Sequence, residues 1–413
     1  MKFGCAALIA GTIFAGPAQT VASASVQSAT PIQLTSAESV HTPLGDGPAL
    51  VMGASGVPLP SSQWVETATD LYLKPFGFTG TAEALYTPEW TTFPDFSLGI
   101  GATFLTTAIM SKILLGHVDA DDPVAVFGYS QSSALITQTM QGLHALGVSP
   151  DDVHFVLVGN GANPNGGLLS SLNPFPGSQL TFPSLNFTLG ASTPDDLYHA
   201  DVYTMEYDGY ADFPRYALNT FSDLNAVMGM FYSHLMYLGL SPDQIANAIQ
   251  LDTTPGGLVD YYMIPSEYLP LLMPVALMPV IGKPLYDLLE PDMRIMVNLG
   301  YGSITDGWNQ GPANVDTPIS LSPFAPDTNW SDVFTALGNG WTQGVNAAIA
   351  DLQDPETYKS IPLVDQPILQ PIVDGAYGAG FIDAAHPPTD WQFLTSWMGT
   401  WFSDLSGSGS SFS

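Results

Sequence analysis

Basic side chains are nearly missing: 7 Lys and Arg stand against 38 Asp and Glu, a formal net charge of −31. A surface of that sign repels phosphate backbones, which argues against nucleic acid as a partner. Charge of either sign is scarce, at 11% of residues, while 46% are hydrophobic. An acidic disordered chain has the opposite make-up, with few aromatics and aliphatics. Cysteine occurs once, as Cys5. An uninterrupted spanning run is lacking at the amino terminus, where Gly11, Gly16 and Pro17 break up "CAALIAGTIFAG". With Lys2 ahead of that run and Ala22-Ser23-Ala24 behind it, residues 1–24 read as a signal peptide. The expectation is a protein secreted or associated with the cell envelope. Its mature form would lose Cys5, and with it any disulfide, thiol nucleophile or cysteine-ligated metal.

What is present is a chain of 413 residues with 40 Gly and 35 Pro. That length accommodates one large core and a satellite region. Residues 25–46 read as an extended linker. "PALVMGASGVPLPSSQWVETATDLYL" gives a short buried strand, a Gly/Pro turn and an amphipathic helix. "AEALYTP" (82–88) reads as a second strand, and residues 96–116 as an apolar helix buried on most sides. "PVAVFG" and "VHFVLVG" are continuous apolar runs of strand length, as parallel strands covered on both faces require. A helix from about Gln131 to Leu146 separates them, ended by Gly147 and followed by Pro150. This alternation indicates an α/β domain with a mainly parallel sheet and helices on both faces.

Gly128-Tyr129-Ser130-Gln131-Ser132 lies between that strand and that helix, the context of a nucleophile elbow. A sharp turn there lifts the Ser130 hydroxyl above the sheet. The amides and dipole of the helix start favour developing negative charge. The second glycine usual in such motifs is replaced by Ser132. The bland reading of Ser130 is a helix cap after a tight turn.

Four separated stretches around this motif are distinctive: "LVMGASGVPLPS" (50–61), "VFGYSQSSALI" (126–136), "LVGNGANPNGGLL" (157–169) and "YDGYADFPRYALNTFSDLNAVMGMFYSH" (207–234). "YYMIPSEYLPLLMPVALMPVIGKPLYDLLEPDMRIMVNLGYG" (261–302) follows. In these stretches, together spanning about residues 47–315, the chain resembles the PE-PPE domain family. That family comprises serine α/β hydrolases of mycobacteria and relatives, akin in fold to cutinases. The resemblance implies an α/β-hydrolase fold over 47–315, short- to medium-chain esters or envelope lipids as substrates, and His234 at the family's base position. Three features depart from the family. A signal peptide stands where PE or PPE helical modules precede the domain, Ser55 stands where many relatives have threonine, and residues 316–413 are not covered.

A serine hydrolase of this fold takes its acid and then its histidine after the serine. His41, His117 and His144 do not fit that order, His154 lies within a strand, and His199 precedes the acid. His234 and His386 remain, with His234 favoured. For the acid, Asp212 is favoured, because Gly209-Tyr210-Ala211-Asp212 reproduces the strand–Gly-x-x-Asp loop of many α/β hydrolases. Asp208 is the alternative and Asp223 a distant third. The oxyanion hole is expected from the Gln131 N–H and from Ser55 in the loop after the first strand. This chemistry asks for no cofactor and no metal.

"NGANPNGG" (160–167) reads as a rim loop with Asx turns. Residues 269–289 carry four prolines and read equally as core packing or as an apolar lid. The extension 316–413 reads as mostly helical, with helices suited to docking on the domain or making peripheral contact with envelope lipid, and a flexible end. The expected activity is serine ester hydrolysis of lipid-like substrates. Acyl transfer between envelope glycolipids is the alternative, and a non-catalytic envelope protein retaining the fold a second one.

Overall fold

The computed structural model describes residues 43–392, apart from residues 93, 117, 174–177 and 384. The expected signal peptide, most of the linker and residues 393–413 lie outside the described residues. The strands are β1 (Ala49–Val51), β2 (Ala82–Ala84), β3 (Val124–Tyr129), β4 (Val153–Val158), β5 (Leu180–Phe182), β6 (Phe187–Leu189), β7 (His199–Met205), β8 (Ile249–Gln250) and β9 (Val259–Ile264). The first helices are α1 (Ser62–Ala68), α2 (Pro94–Leu115), α3 (Gln131–Ala145), α4 (Leu168–Ser171) and α5 (Thr220–Phe231). After them come α6 (Pro242–Ala246), α7 (Met273–Ala276), α8 (Gly282–Asn298), α9 (Trp330–Gln353) and α10 (Gln370–Gly378).

Seven strands form one sheet in the order β2-β1-β3-β4-β7-β9-β8, every pair parallel except β8 with β9. Strands β5 and β6 form a separate antiparallel hairpin. Every residue of β3 and β4 is buried, which is why these stretches read as unbroken apolar runs. The strand period of two then sorts them into two cores. Ala125, Phe127 and Tyr129 face Trp64, Tyr72 and Tyr237. Val124 and Val126 face Leu105 and Ile109 of α2 and Leu135, Ile136 and Met140 of α3. Covering both faces in this way produces the expected α/β-hydrolase architecture.

Two expectations are corrected, and a third is refined. Helix α2 is not buried on most sides: Phe96, Phe104, Leu114 and Leu115 are exposed, Leu115 at 86%. It packs through Gly101 against Leu135 of α3, and no described element covers its outer side, so only one stripe of an apolar helix is used. The 160–167 loop is not a rim. It is largely buried beneath the turn that follows β7, with Asn163 Nδ2 donating to Thr204 Oγ1 and to the Ala211 carbonyl. Its expected Asx turn is present, Ala162 N–H donating to Asn160 Oδ1 at 3.0 Å. The proline-rich segment is core in its first part and exposed in its second. Leu269, Leu272 and Met273 are core residues, whereas Met278, Val280 and Ile281 are exposed. There Ile281 N–H bonds the Pro279 carbonyl across Val280, which is held at φ 67°.

The described part of the extension belongs to the same compact unit as the sheet. Helix α9 lies on α8 through glycines: a Cβ at Gly344 would meet the Leu288 carbonyl at 2.3 Å. Helix α10 backs the chain around His234, because Gly239 and Gly375 allow backbone to meet backbone.

Candidate active site

Ser130 ends the turn out of β3 at φ 61°, ψ −113°, a left-handed conformation that costs about 1–3 kcal/mol at a non-glycine residue. The surrounding chain holds it there. Gly128 permits the crossing of strand and helix, since a Cβ on it would sit 2.7 Å from Ile136 Cδ1 and 3.0 Å from Ser133 N. Ser132 explains its departure from glycine: its buried hydroxyl accepts the Tyr129 N–H at 2.7 Å and donates to the Tyr129 carbonyl at 3.1 Å. A side chain thus staples the elbow that glycine would merely permit.

His234 lies in a short 3₁₀ turn after α5, residues Ser233–Leu235. Its ring rests over the end of β4, where Gly159 at φ 59° leaves no Cβ to meet the imidazole Cε1. Tyr129 Oη bonds the His234 carbonyl, and the Tyr210 ring lies 4.6 Å from the imidazole. His234 Nε2 is 2.8 Å from Ser130 Oγ, and Nδ1 is 2.7 Å from Asp208 Oδ2.

The acid facing His234 is therefore Asp208, not the favoured Asp212. Asp208 follows β7 on a turn through Tyr207 at φ 66°, and it is fully buried. Its Oδ1 accepts the Tyr210 N–H at 3.0 Å, while its Oδ2 accepts from both His234 and Tyr237. Asp212 turns the other way and accepts the Tyr207 N–H at 2.9 Å, holding the strained residue beside Asp208. Burial pushes the Asp212 carboxyl well above the usual carboxylate range against that one amide, with Glu206 and Asp208 adding to the rise. The Gly-x-x-Asp pattern marks the right loop but the wrong residue in it. A four-residue reach is not needed when the turn already aims the strand-end carboxylate at the histidine.

The expected oxyanion residues meet one another. Gln131 opens α3, so its N–H has no carbonyl within the helix to bond. Ser55 Oγ donates to Gln131 Oε1 at 2.9 Å, and Gln131 Nε2 donates to Ser97 Oγ at 2.7 Å. Ser97 in turn accepts the Trp90 N–H, and the Glu89 carbonyl accepts the Gly56 N–H at 2.7 Å. Two loops and the first turn of α2 are thereby tied around Gln131. The Ser55 hydroxyl is engaged in this ring. The carboxyl of Glu89, behind the loop, is pushed up to about 8 by burial, against the Thr87 hydroxyl bonded to it.

The other candidates lie apart. His154 is buried against Asp201 at 2.6 Å, His199 flanks it, and His386 is an exposed partner of Asp383. Asp223 is in α5. Sequence reasoning missed Tyr237, Tyr210 and Ser97. Tyr237 follows His234 by three residues and opens the next 3₁₀ turn, a placement that the residue types alone do not mark.

A serine on a strand–helix elbow, joined through a histidine to a buried aspartate above a mainly parallel sheet, has the arrangement of an α/β hydrolase. The chain belongs to the PE-PPE family: the PE-PPE domain model matches residues 78–302. It is 41% identical to an uncharacterized PPE family protein, PPE28 of Mycobacterium tuberculosis, over 74% of this chain and 47% of that one. It is 40% identical to the esterase PE16 of the same organism, over 69% of this chain and 53% of that one. The chain thus spans about half the length of these curated relatives. Among solved structures, a cutinase-like protein from Cryptococcus sp. matches 30% of this chain and 58% of its own, with 19% identity and a TM-score of 0.24.

Proposed function

We propose that this protein is an esterase of the serine type, acting on carboxylic esters of lipid-like molecules. The observation that carries the reading is the unbroken series Ser130 Oγ, His234, Asp208, with both bonds under 3 Å. The kinship with a relative named as an esterase supports it. Ser130 attacks the ester carbonyl as His234 Nε2 takes its proton. The tetrahedral oxyanion is met by the Gln131 N–H at the start of α3 and by the Ser55 N–H. His234, now an imidazolium steadied by Asp208, returns the proton to the departing alkoxide, leaving an acyl-serine. Water, deprotonated by the same histidine, attacks the acyl carbonyl and releases the acid. We place this reaction outside the cytoplasm, on the strength of the leader-like residues 1–24.

Ser130→Ala tests the reading, since alanine fits the elbow without removing any packing. Turnover of a short p-nitrophenyl ester and labelling by a fluorophosphonate probe should both be lost. The fall expected in kcat is on the order of 10³-fold or more, with an unchanged melt. Retained turnover would refute the assignment. Mass spectrometry of products from a lipid ester, with and without a sugar acceptor, separates free acid from transferred acyl chain.

A further inference from the structure

We infer that Tyr237 is a positioning residue of the same site: its hydroxyl donates to Asp208 Oδ2 and sets how much of that carboxylate's charge reaches His234. The inference rests on the proposed function only in taking Asp208 as the partner of a working base.

The direction of the bond follows from the neighbouring atoms. Tyr237 Oη lies 2.9 Å from the Met205 backbone nitrogen and 2.8 Å from Asp208 Oδ2. A backbone N–H can only donate, so Oη accepts there and its own hydrogen is left for the carboxylate. The same Oδ2 takes the His234 Nδ1–H at 2.7 Å, so two donors share one oxygen. Both Tyr237 and Asp208 are fully buried, and water cannot substitute for either donor. Burial, with Asp208 next, raises the tyrosine hydroxyl well above its ordinary value, and it stays a donor throughout the working range of pH.

The ring is fixed as firmly as the hydroxyl. It stands edge-on to Tyr129 at 5.4 Å, and its backbone carbonyl accepts from Tyr72 Oη at 2.8 Å. The ionisable groups around Asp208 are Tyr129 from β3, His234 and Tyr237 from the turns after α5, and Asp212 in its own loop. Of these, only His234 and Tyr237 donate to Oδ2.

A donor on the carboxylate draws off charge that would otherwise hold the imidazolium. Without that donor Asp208 holds the imidazolium more tightly. Tyr237→Phe keeps the ring and removes only the hydroxyl. The acid limb of kcat/KM should move to higher pH by about half a unit, and kcat should fall about tenfold, because the carboxylate is less firmly held. The His234 Nδ1–H proton resonance should move further downfield. Replacing Tyr237 with 3-fluorotyrosine, a stronger donor that keeps every contact, should move limb and resonance the opposite way. Tyr72→Phe removes a comparable buried tyrosine bond to this segment and should move neither.

Limb and resonance unchanged in both Tyr237 variants, or moved equally by Tyr72→Phe, would overturn the inference. The resonance is readable without turnover. An inactive wild-type protein with opposite resonance shifts in the two Tyr237 variants would therefore sink the esterase reading and leave this one standing.

Discussion

Two aspartates four residues apart take opposite tasks because of where the backbone points them. Asp208 aims at His234, whereas Asp212 holds the Tyr207 amide at a positive φ. Asp208→Asn should lower kcat by about 10³- to 10⁴-fold, since the amide favours the wrong histidine tautomer. Its melting temperature should fall as well, because the new amide nitrogen faces buried donors that a carboxylate oxygen accepted. Asp212→Ala strands a buried amide and should cost about 1–3 kcal/mol of stability, with a smaller loss of kcat. Paired kinetics and melts decide between them, and an active Asp208→Asn would reverse the roles. The two positions were confusable in the sequence because both fit a strand–turn–acid pattern. What separates them is a single strained residue, Tyr207, and no pattern of residue types reports its φ.

Among elements, α2 is the instructive case. Its composition resembles that of a core helix, but apolar content shows only that a helix tolerates burial, not that a neighbour supplies it. Leu114 and Leu115 stand at 75% and 86% exposure. The double change Leu114→Glu, Leu115→Glu should therefore shift unfolding stability by no more than about 0.5 kcal/mol per site, read from the urea midpoint. A loss of several kcal/mol would mean that something covers this end of the helix. Strands β3 and β4 were legible for the complementary reason. A six-residue run that is apolar throughout, or apolar but for His154 in β4, has few places to go other than a sheet covered on both sides.

At the scale of the whole molecule, the extension is structural support for the site. Gly375 of α10 lies where a Cβ would come within 2.7 Å of the Leu235 carbonyl, next to His234. Gly375→Ala should cost about 1–3 kcal/mol by overpacking and should lower kcat more than it changes KM, because the displaced turn carries the base. Unchanged kinetics in a folded variant would show that α10 and the base turn are mechanically independent. No motif announced this contact, since it joins the matched domain to a region that the family model does not cover.

The sequence by itself determined the layers, the elbow at Ser130, the choice of His234 and the loop that holds the acid. The layers, the elbow and the acid loop follow from local periodicity, turn chemistry and chain order. Chain order left both His234 and His386, and the resemblance to the PE-PPE family chose His234. Only the tertiary structure decided which aspartate meets His234, that Ser132 staples the elbow, that Ser55 binds Gln131, and that Tyr237 shares the carboxylate. These are contacts between elements far apart in the chain, or the outcome of one strained dihedral angle. Hydrogen bonds are directional, and a shift of a single residue redirects them, whereas apolar burial is set by pattern and tolerates such shifts.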